Sequence, residues 1–381
     1  MRDYEERKRR HRKRRVIIFA SLLVLIVIMG AIYLIRLFNR SYQNYQVMDR
    51  VTNTEEHLGG YLEYKDAVVR YSRDGAVAVD NKGNFLWNGS YEMAEPIADS
   101  CKDYVVIADK GGKRVHIFNR EGLAGSLTMN HPIVKAEVAK QGVVAILMME
   151  DDISYVEVWS KEGNLLGEKV TNMIKYGYPM DISLSDDGEK VAATYLNINK
   201  GEITNNILFL NYGETGKNFT DRTAGALIYN NAIVPRITFL DNDTVCAFKE
   251  DGFLIFTMEE IAELAKEETV EGKIKSVLHN EKYTGFVLEE NNESDLLLLL
   301  YDLKGNKVLD MKLDFEYESI YLSGDEIIMY DDLSCVIYKV DGNEKFRYTF
   351  TTNISALYPI NHLDRYFFVN PQEIQEIQLV E

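Results

Sequence analysis

The feature that most constrains this chain is a turn that keeps returning. Asp80-Asn-Lys-Gly83-Asn stands before Phe85-Leu-Trp87, Asn119-Arg-Glu-Gly122 before Leu123, and Ser160-Lys-Glu-Gly163-Asn before Leu165-Leu166. Asp302-Leu-Lys-Gly305-Asn stands before Lys307-Val-Leu309, Val340-Asp-Gly342-Asn before Glu344-Lys-Phe346, and Asn211-Tyr-Gly-Glu-Thr-Gly216 is a looser member. A hairpin turn of this kind needs glycine where the backbone takes a positive φ. The glycines are separated by 39, 41, 53, 89 and 37 residues. The gap of 89 is two repeats with one turn replaced, so the mean period is about 43 residues, the length of one four-stranded propeller blade.

Between the turns lie apolar runs of five to eight residues, rich in Val, Ile, Tyr and Phe, with almost no helical periodicity. This predicts an all-β chain of short strands, and the repetition makes it a β-propeller. Calling the strands of each blade a to d from the axis outward, the b strands read as 67–71, 104–108, 143–149, 190–195, 244–248, 283–288, 326–330 and 366–369. The c strands read as 76–80, 114–119, 155–160, 207–211, 253–257, 296–302, 335–340 and 373–380. Eight blades is the favoured count, and seven the alternative because outer strands are harder to count. The last repeat stops at its c strand, and a segment around Leu58–Tyr64 is expected to close the ring; losing the last ten residues would then destabilise the whole ectodomain. One unit departs from the pattern near 258–268. There Thr257 and Glu260 read as a capping box and Ile261, Leu264 and Ala265 as one helical face, predicting a short helix that covers a sheet edge or forms a docking ridge.

The N-terminus reads differently. Residues 1–15 hold nine Lys/Arg against three acids, and Val16 to Ile35 follow with no charge and Ser21 as the one polar side chain. Twenty residues at 1.5 Å each span ~30 Å, one bilayer core. The run exceeds a signal-peptide core and lacks a small-x-small cleavage site, so an uncleaved anchor is expected. The charge asymmetry places the N-terminus in the cytoplasm and the C-terminal domain outside. The expected organisation is a basic cytoplasmic tail at 1–15, a transmembrane helix at 16–35 contacting lipid, a linker at 36–57, and a propeller ectodomain at 58–381. Cys101, Cys246 and Cys335 are scattered within strand-like runs and read as free thiols, which suits a bacterial envelope.

The Asp80-Asn-Lys-Gly-Asn-Phe-Leu-Trp87 unit resembles the blades of quinoprotein-like propellers, and Leu184-Ser-Asp-Asp-Gly-Glu-Lys-Val-Ala192 is similar to the strand-turn-strand signature of WD40-like repeats. A basic N-terminus, one anchor and a propeller-like ectodomain together resemble a family of unknown function from Gram-positive anaerobes. That resemblance implies a fold and no activity.

Only Trp87 and Trp159 occur, too few for repeated tryptophan docking motifs, and both read as packing between blades. His11, His57, His116, His131, His279 and His362 follow no zinc spacing, and no nucleophile elbow, metalloprotease or P-loop pattern occurs. No catalytic, cofactor or metal residue is therefore assigned, although triads can assemble from distant residues. The formal charge of −17 argues against a nucleic-acid partner. One surface stands out, because b–c loops emerge on one face of a propeller. Those loops carry Asp74, Asp109, Asp151, Asp152, Asp251, Glu289, Glu290, Asp331 and Asp332, a candidate acidic partner-binding face; polar turns favour Asp for their own reasons, which is the plainer reading. The expected function is a membrane-anchored extracytoplasmic module that binds or scaffolds an envelope or membrane protein. The alternative is an exported enzyme or small-ligand sensor using the central pocket.

Overall fold

The computed structural model describes residues 19–30, 40–52, 58–199, 201–290, 295–361 and 363–381. Residues 40–381 hold eight four-stranded antiparallel sheets, each a meander. Seven are continuous in the chain: blade 1 (58–90), blade 2 (96–128), blade 3 (133–172), blade 4 (178–230), blade 5 (236–269), blade 6 (273–313) and blade 7 (319–349). Blade 8 takes Ala356–Pro359, Arg365–Val369 and Glu373–Val380 as a, b and c, and Asn44–Thr52 as d. The eight b and eight c strands fall where the sequence placed them.

The recurring turn has a recurring geometry. Asp80 Oδ1 accepts hydrogen bonds from the Lys82 and Asn84 amides at 2.9 and 2.8 Å, and Gly83 has φ +74°. Asp302 does the same for Lys304 and Asn306 at 2.9 and 2.8 Å, around Gly305 at φ +76°. In each of blades 1–7 the c–d ladder then slips by one residue directly after the turn, a bulge that strengthens the local twist. Strands twisted this way stack as blades.

Packing between blades shows that the ring is closed. Eight buried apolar clusters each join two neighbouring blades, from Trp87 and Phe118 between blades 1 and 2 to Val68, Val79, Phe367 and Val369 between blades 8 and 1. Trp87 stacks on Phe118 at 4.5 Å, the inter-blade role expected of it. Trp159 is a half-buried member of the cluster between blades 2 and 3. Cys246 and Cys335 are buried and all three thiols are free.

Three expectations are corrected. Leu58–Tyr64 does not close the ring; it is the inner strand of blade 1, and Asn44–Thr52, read as linker, pairs with Glu373–Val380 instead. As an outermost strand, Asn44–Thr52 is mostly exposed and lacks the apolar alternation by which strands are recognised. The helix expected near 258–268 is absent: Glu263–Thr269 is the d strand of blade 5, pairing with Gly252–Thr257. Local helix propensity gave way to the unpaired backbone edge of that c strand, which six residue pairs now cover.

Residues 19–30 are helical, with exposed side chains from Phe19 to Met29. Among the described residues no helix is long and apolar enough to cross a membrane. The basic tail at 1–15 and residues 16–18 and 31–35 of the expected span lie outside the described residues, as do 36–39 and 53–57 of the expected linker.

Candidate functional site

The inner strands face a common axis, and an inner strand is also a sheet edge with backbone N–H groups to satisfy. The chain meets this need with side chains from the preceding blade. Asp99 of blade 2 accepts from the Val138 amide at 2.9 Å, and Glu137 of blade 3 from Leu184 at 2.8 Å. Asp181 and Ser183 of blade 4 accept from Ile237 and Phe239, both at 3.0 Å. Lys135 completes the network, its ammonium 2.7 Å from Glu137, 2.6 Å from Asp181, and donating to the Ile182 carbonyl at 2.8 Å.

Burial sets the charge states here. It disfavours the charged form of Lys135, but Glu137 and Asp181 outweigh it and hold that ammonium above the usual lysine range. Burial raises the Asp99 carboxyl, with Glu137 adding to the shift, and raises Asp181 against the pull of Lys135. His279, at the end of the blade 6 inner strand, is pushed down to about 4 by burial, with the Arg236 and Lys135 charges adding. On blade 1, burial lifts Glu63 to about 7, partly offset by the Ser323 hydroxyl that donates to it at 2.9 Å.

The sign of the Glu63 effect is testable. A carboxyl whose folded pKa exceeds its unfolded value contributes stability that is fully present below about 4.5 and is lost as pH rises through about 7. Glu63→Gln keeps an acceptor for Ser323 and removes the buried charge. Its melting midpoint is expected to exceed that of the parent protein at pH 8, by an amount equivalent to roughly 3 kcal/mol, and to match it near pH 4. Thermal melts at the two pH values decide it; an equal gap at both would refute the assignment.

Two cavities open on the axis. One of about 890 Å³ lies at the end where the inner strands begin, lined by Arg236, Lys275, Glu318, Tyr321, Tyr330 and Tyr358 among others. The second, about 480 Å³, is lined by the Asp99, Lys135, Glu137 and Asp181 network and by His279, and it shares Arg236 with the first. The large cavity opens at the b–c end of the ring. The chain enters at the opposite end, because Asn44 begins a d strand alongside Val380, and the Tyr42 amide donates to the Lys345 carbonyl beside the c–d turn of blade 7.

The nine acids of the candidate face all lie at that b–c end, one or two per blade in blades 1, 2, 3, 5, 6 and 7. They share a rim but most are occupied. Asp109 accepts from the Ala94 and Glu95 amides at 2.8 and 3.0 Å, and Asp331 from Leu333 and Ser334 at 2.8 and 2.6 Å. Asp251 pairs with Lys249 at 3.3 Å, Glu289 with Lys273 at 2.7 Å and Glu290 with Lys312 at 3.5 Å. Asp74, Asp151, Asp152 and Asp332 are exposed at hairpin tips, Asp151 with φ +52°. Among the described residues no group of three or more His, Cys, Asp or Glu could hold a metal ion. The axial residues were missed in the sequence, although Asp99, Lys135, Glu137 and Asp181 are charges inside short inner strands, where a plain core would be apolar.

The family model for a family of unknown function, DUF5711, matches residues 38–379. The chain belongs to that family. The match to DUF5711 covers the whole ring, including the closing strand. No curated protein matches the chain. Among solved structures, a crystal structure of the eukaryotic initiation factor is similar at 13% identity and TM-score 0.51, with 83% of each chain covered. Hsv2 of Kluyvelomyces marxianus is similar at 9% identity and TM-score 0.47, covering 78% of this chain and 100% of that one. BBS1N, crystallised in complex with ARL6DN, is similar at 10% identity and TM-score 0.47, covering 89% and 97%. At these identities the likeness shows the fold alone.

Proposed function

We propose that this DUF5711 member is a non-catalytic binding module, tethered to the outer side of the cytoplasmic membrane by residues 16–35, whose b–c end engages an envelope or membrane protein or a small ligand. The observation that carries the reading is the opposition of tether and mouth: the chain enters the ring at the c–d end, and the large axial cavity opens at the other. The uncharged run from Val16 to Ile35 behind a basic tail supports the membrane placement. From Ile35 to Asn44 at most nine steps of chain remain, ~30 Å when fully extended. A ring on so short a tether presents its free end away from the bilayer, where the exposed Asp74, Asp151, Asp152 and Asp332 surround the mouth.

A second reading, an exported enzyme or ligand sensor, rests on the raised carboxyls of Glu63, Asp99 and Asp181 along the same axis. Asp99, Asp181 and Glu137 each hold a neighbouring blade's amide, which favours binding over proton transfer.

A photo-crosslinking residue at Asp332 in living cells is expected to capture a discrete envelope or membrane component, whereas one at Lys304 on the c–d end gives a different pattern or none. Identical patterns from the two ends would overturn the mouth as the binding surface. Asp332→Cys is expected to react with a membrane-impermeant maleimide in intact cells, with Cys101, Cys246 and Cys335 as the background; reaction only after lysis would overturn the outward placement.

A further inference from the structure

We infer that the large axial cavity receives a small zwitterion, a free amino acid or a short peptide with both termini free. The inference rests on the mouth being the binding surface, and it follows from which charges there are left unmatched. The buried cations of the ring are consumed by the protein: Lys135 by Glu137 and Asp181, Lys345 by Glu326, and Lys249, itself on the wall of this cavity, by Glu267 and Asp251. At the cavity, Arg236 and Lys275 are exposed side chains that form no ion pair with any described residue. The Lys275 ammonium lies 5.1 Å from the centre of the Tyr317 ring. Glu250 and Glu318 line the same cavity, and their carboxylates, also exposed, form no ion pair with any described residue.

Two free cations and two free carboxylates in one pocket balance, so neither a simple anion nor a simple cation matches the site. A ligand carrying both charges does. A guanidinium offers a carboxylate two parallel N–H donors, which assigns the ligand's carboxylate to Arg236, with Lys275 of the adjoining blade on the same cavity. Glu318 and Glu250 receive the ammonium. Tyr321, Tyr330 and Tyr358 form a wall whose ring faces also attract a cation. Two of these rings are pinned through their hydroxyls: Tyr321 donates to the Leu357 carbonyl, and Tyr358 to that of Tyr61 at 3.1 Å. The wall is therefore set before a ligand arrives. A cavity of about 890 Å³ has room for a short peptide.

The test is calorimetric titration of the full-length protein in detergent with trialanine, N-acetyl-trialanine and trialanine amide. Trialanine is expected to bind, and blocking either terminus to weaken binding by about tenfold or more. Arg236→Ala is expected to abolish the discrimination between trialanine and its amide while keeping the preference for the free amino terminus; Glu318→Gln should do the converse. Lys275→Gln serves as a second variant on the cationic side, with an unchanged melting midpoint as the check that each variant is folded. Equal binding of all three peptides, or none by trialanine, overturns the inference. Failure here alongside rim-specific crosslinks from Asp332 removes the zwitterion and leaves the binding surface standing; failure of both removes the binding surface too.

Discussion

Deleting residues 40–52 is expected to leave a protein that aggregates instead of folding to a ring. Asn44–Thr52 contributes eight residue pairs to Glu373–Val380, and without them blade 8 ends in an open edge that invites association. Apolar contact goes with the ladder: Tyr45 packs on Tyr348 and Phe350 at 5.0 and 5.1 Å, and Ile377 and Leu379 beneath the strand are buried. The strand also reaches blade 1. Gly83, held at φ +74°, lies against Val51, such that a Cβ on it would fall 2.8 Å from a Val51 methyl. Loss of the ladder and this packing is expected to cost at least about 5 kcal/mol, comparable with the whole stability of many domains. Size-exclusion chromatography and protease resistance measure it. A synthetic peptide covering 40–52, added during refolding, is expected to restore the monomeric ring by filling the vacant strand position; a deleted protein that stays monomeric and resistant without the peptide would show that closure does not depend on this strand. Removing the last ten residues, which takes away the partner strand, is expected to have the same outcome.

Lys345→Met is expected to lower stability by about 3–5 kcal/mol, the usual effect of leaving a buried charge without its partner. Lys345 and Glu326 are both buried in blade 7 and pair directly, and Tyr366 of blade 8 accepts from Lys345 at 2.7 Å while donating to Glu326 at 2.6 Å. Burial pulls the Lys345 pKa below the usual lysine range even with Glu326 against it, so the pair is already under strain from desolvation. The double variant Lys345→Met with Glu326→Leu removes both charges together and is expected to recover most of the loss. Urea midpoints for the two singles and the double give the coupling; additive effects would show that the two residues do not act as a pair. Because the backbone carbonyl of Lys345 also receives the Tyr42 amide, the single variant is expected to loosen the start of the closing strand as well, read as faster proteolysis near residue 42.

The parts of this fold that repeat were legible in the sequence, and the parts that occur once were not. Asp80 and Asp302 each announce a turn because one carboxylate must satisfy two amides around a left-handed glycine, and that need recurs with the same residues. The b and c strands sit between neighbouring blades, and their continuous apolar runs follow from burial on both faces. Asn44–Thr52 carries little of that signal because its faces meet solvent, and what identifies it is a partner more than 300 residues away. The helix read near 258–268 failed for a related reason: Glu263, Leu264, Ala265 and Glu267 are exposed with no apolar alternation to declare a strand, and the neighbouring c strand makes the segment one. At the candidate site the rim acids could be placed from loop order, whereas the axial network of Asp99, Lys135, Glu137 and Asp181 requires knowing which inner strands adjoin.

The order in which the ring is completed has a consequence during synthesis. Asn44–Thr52 leaves the ribosome among the first strands and Glu373–Val380 among the last, so at ~5–20 residues per second the first waits roughly twenty seconds to a minute for its mate. Over that interval it is a bare β-strand beside other nascent chains. Asp49 and Arg50 stand in its middle, where the ladder also slips by a residue, and charges and irregularities of this kind discourage mispairing with a stranger. The latch thus guards itself until the last turn of the chain arrives to receive it.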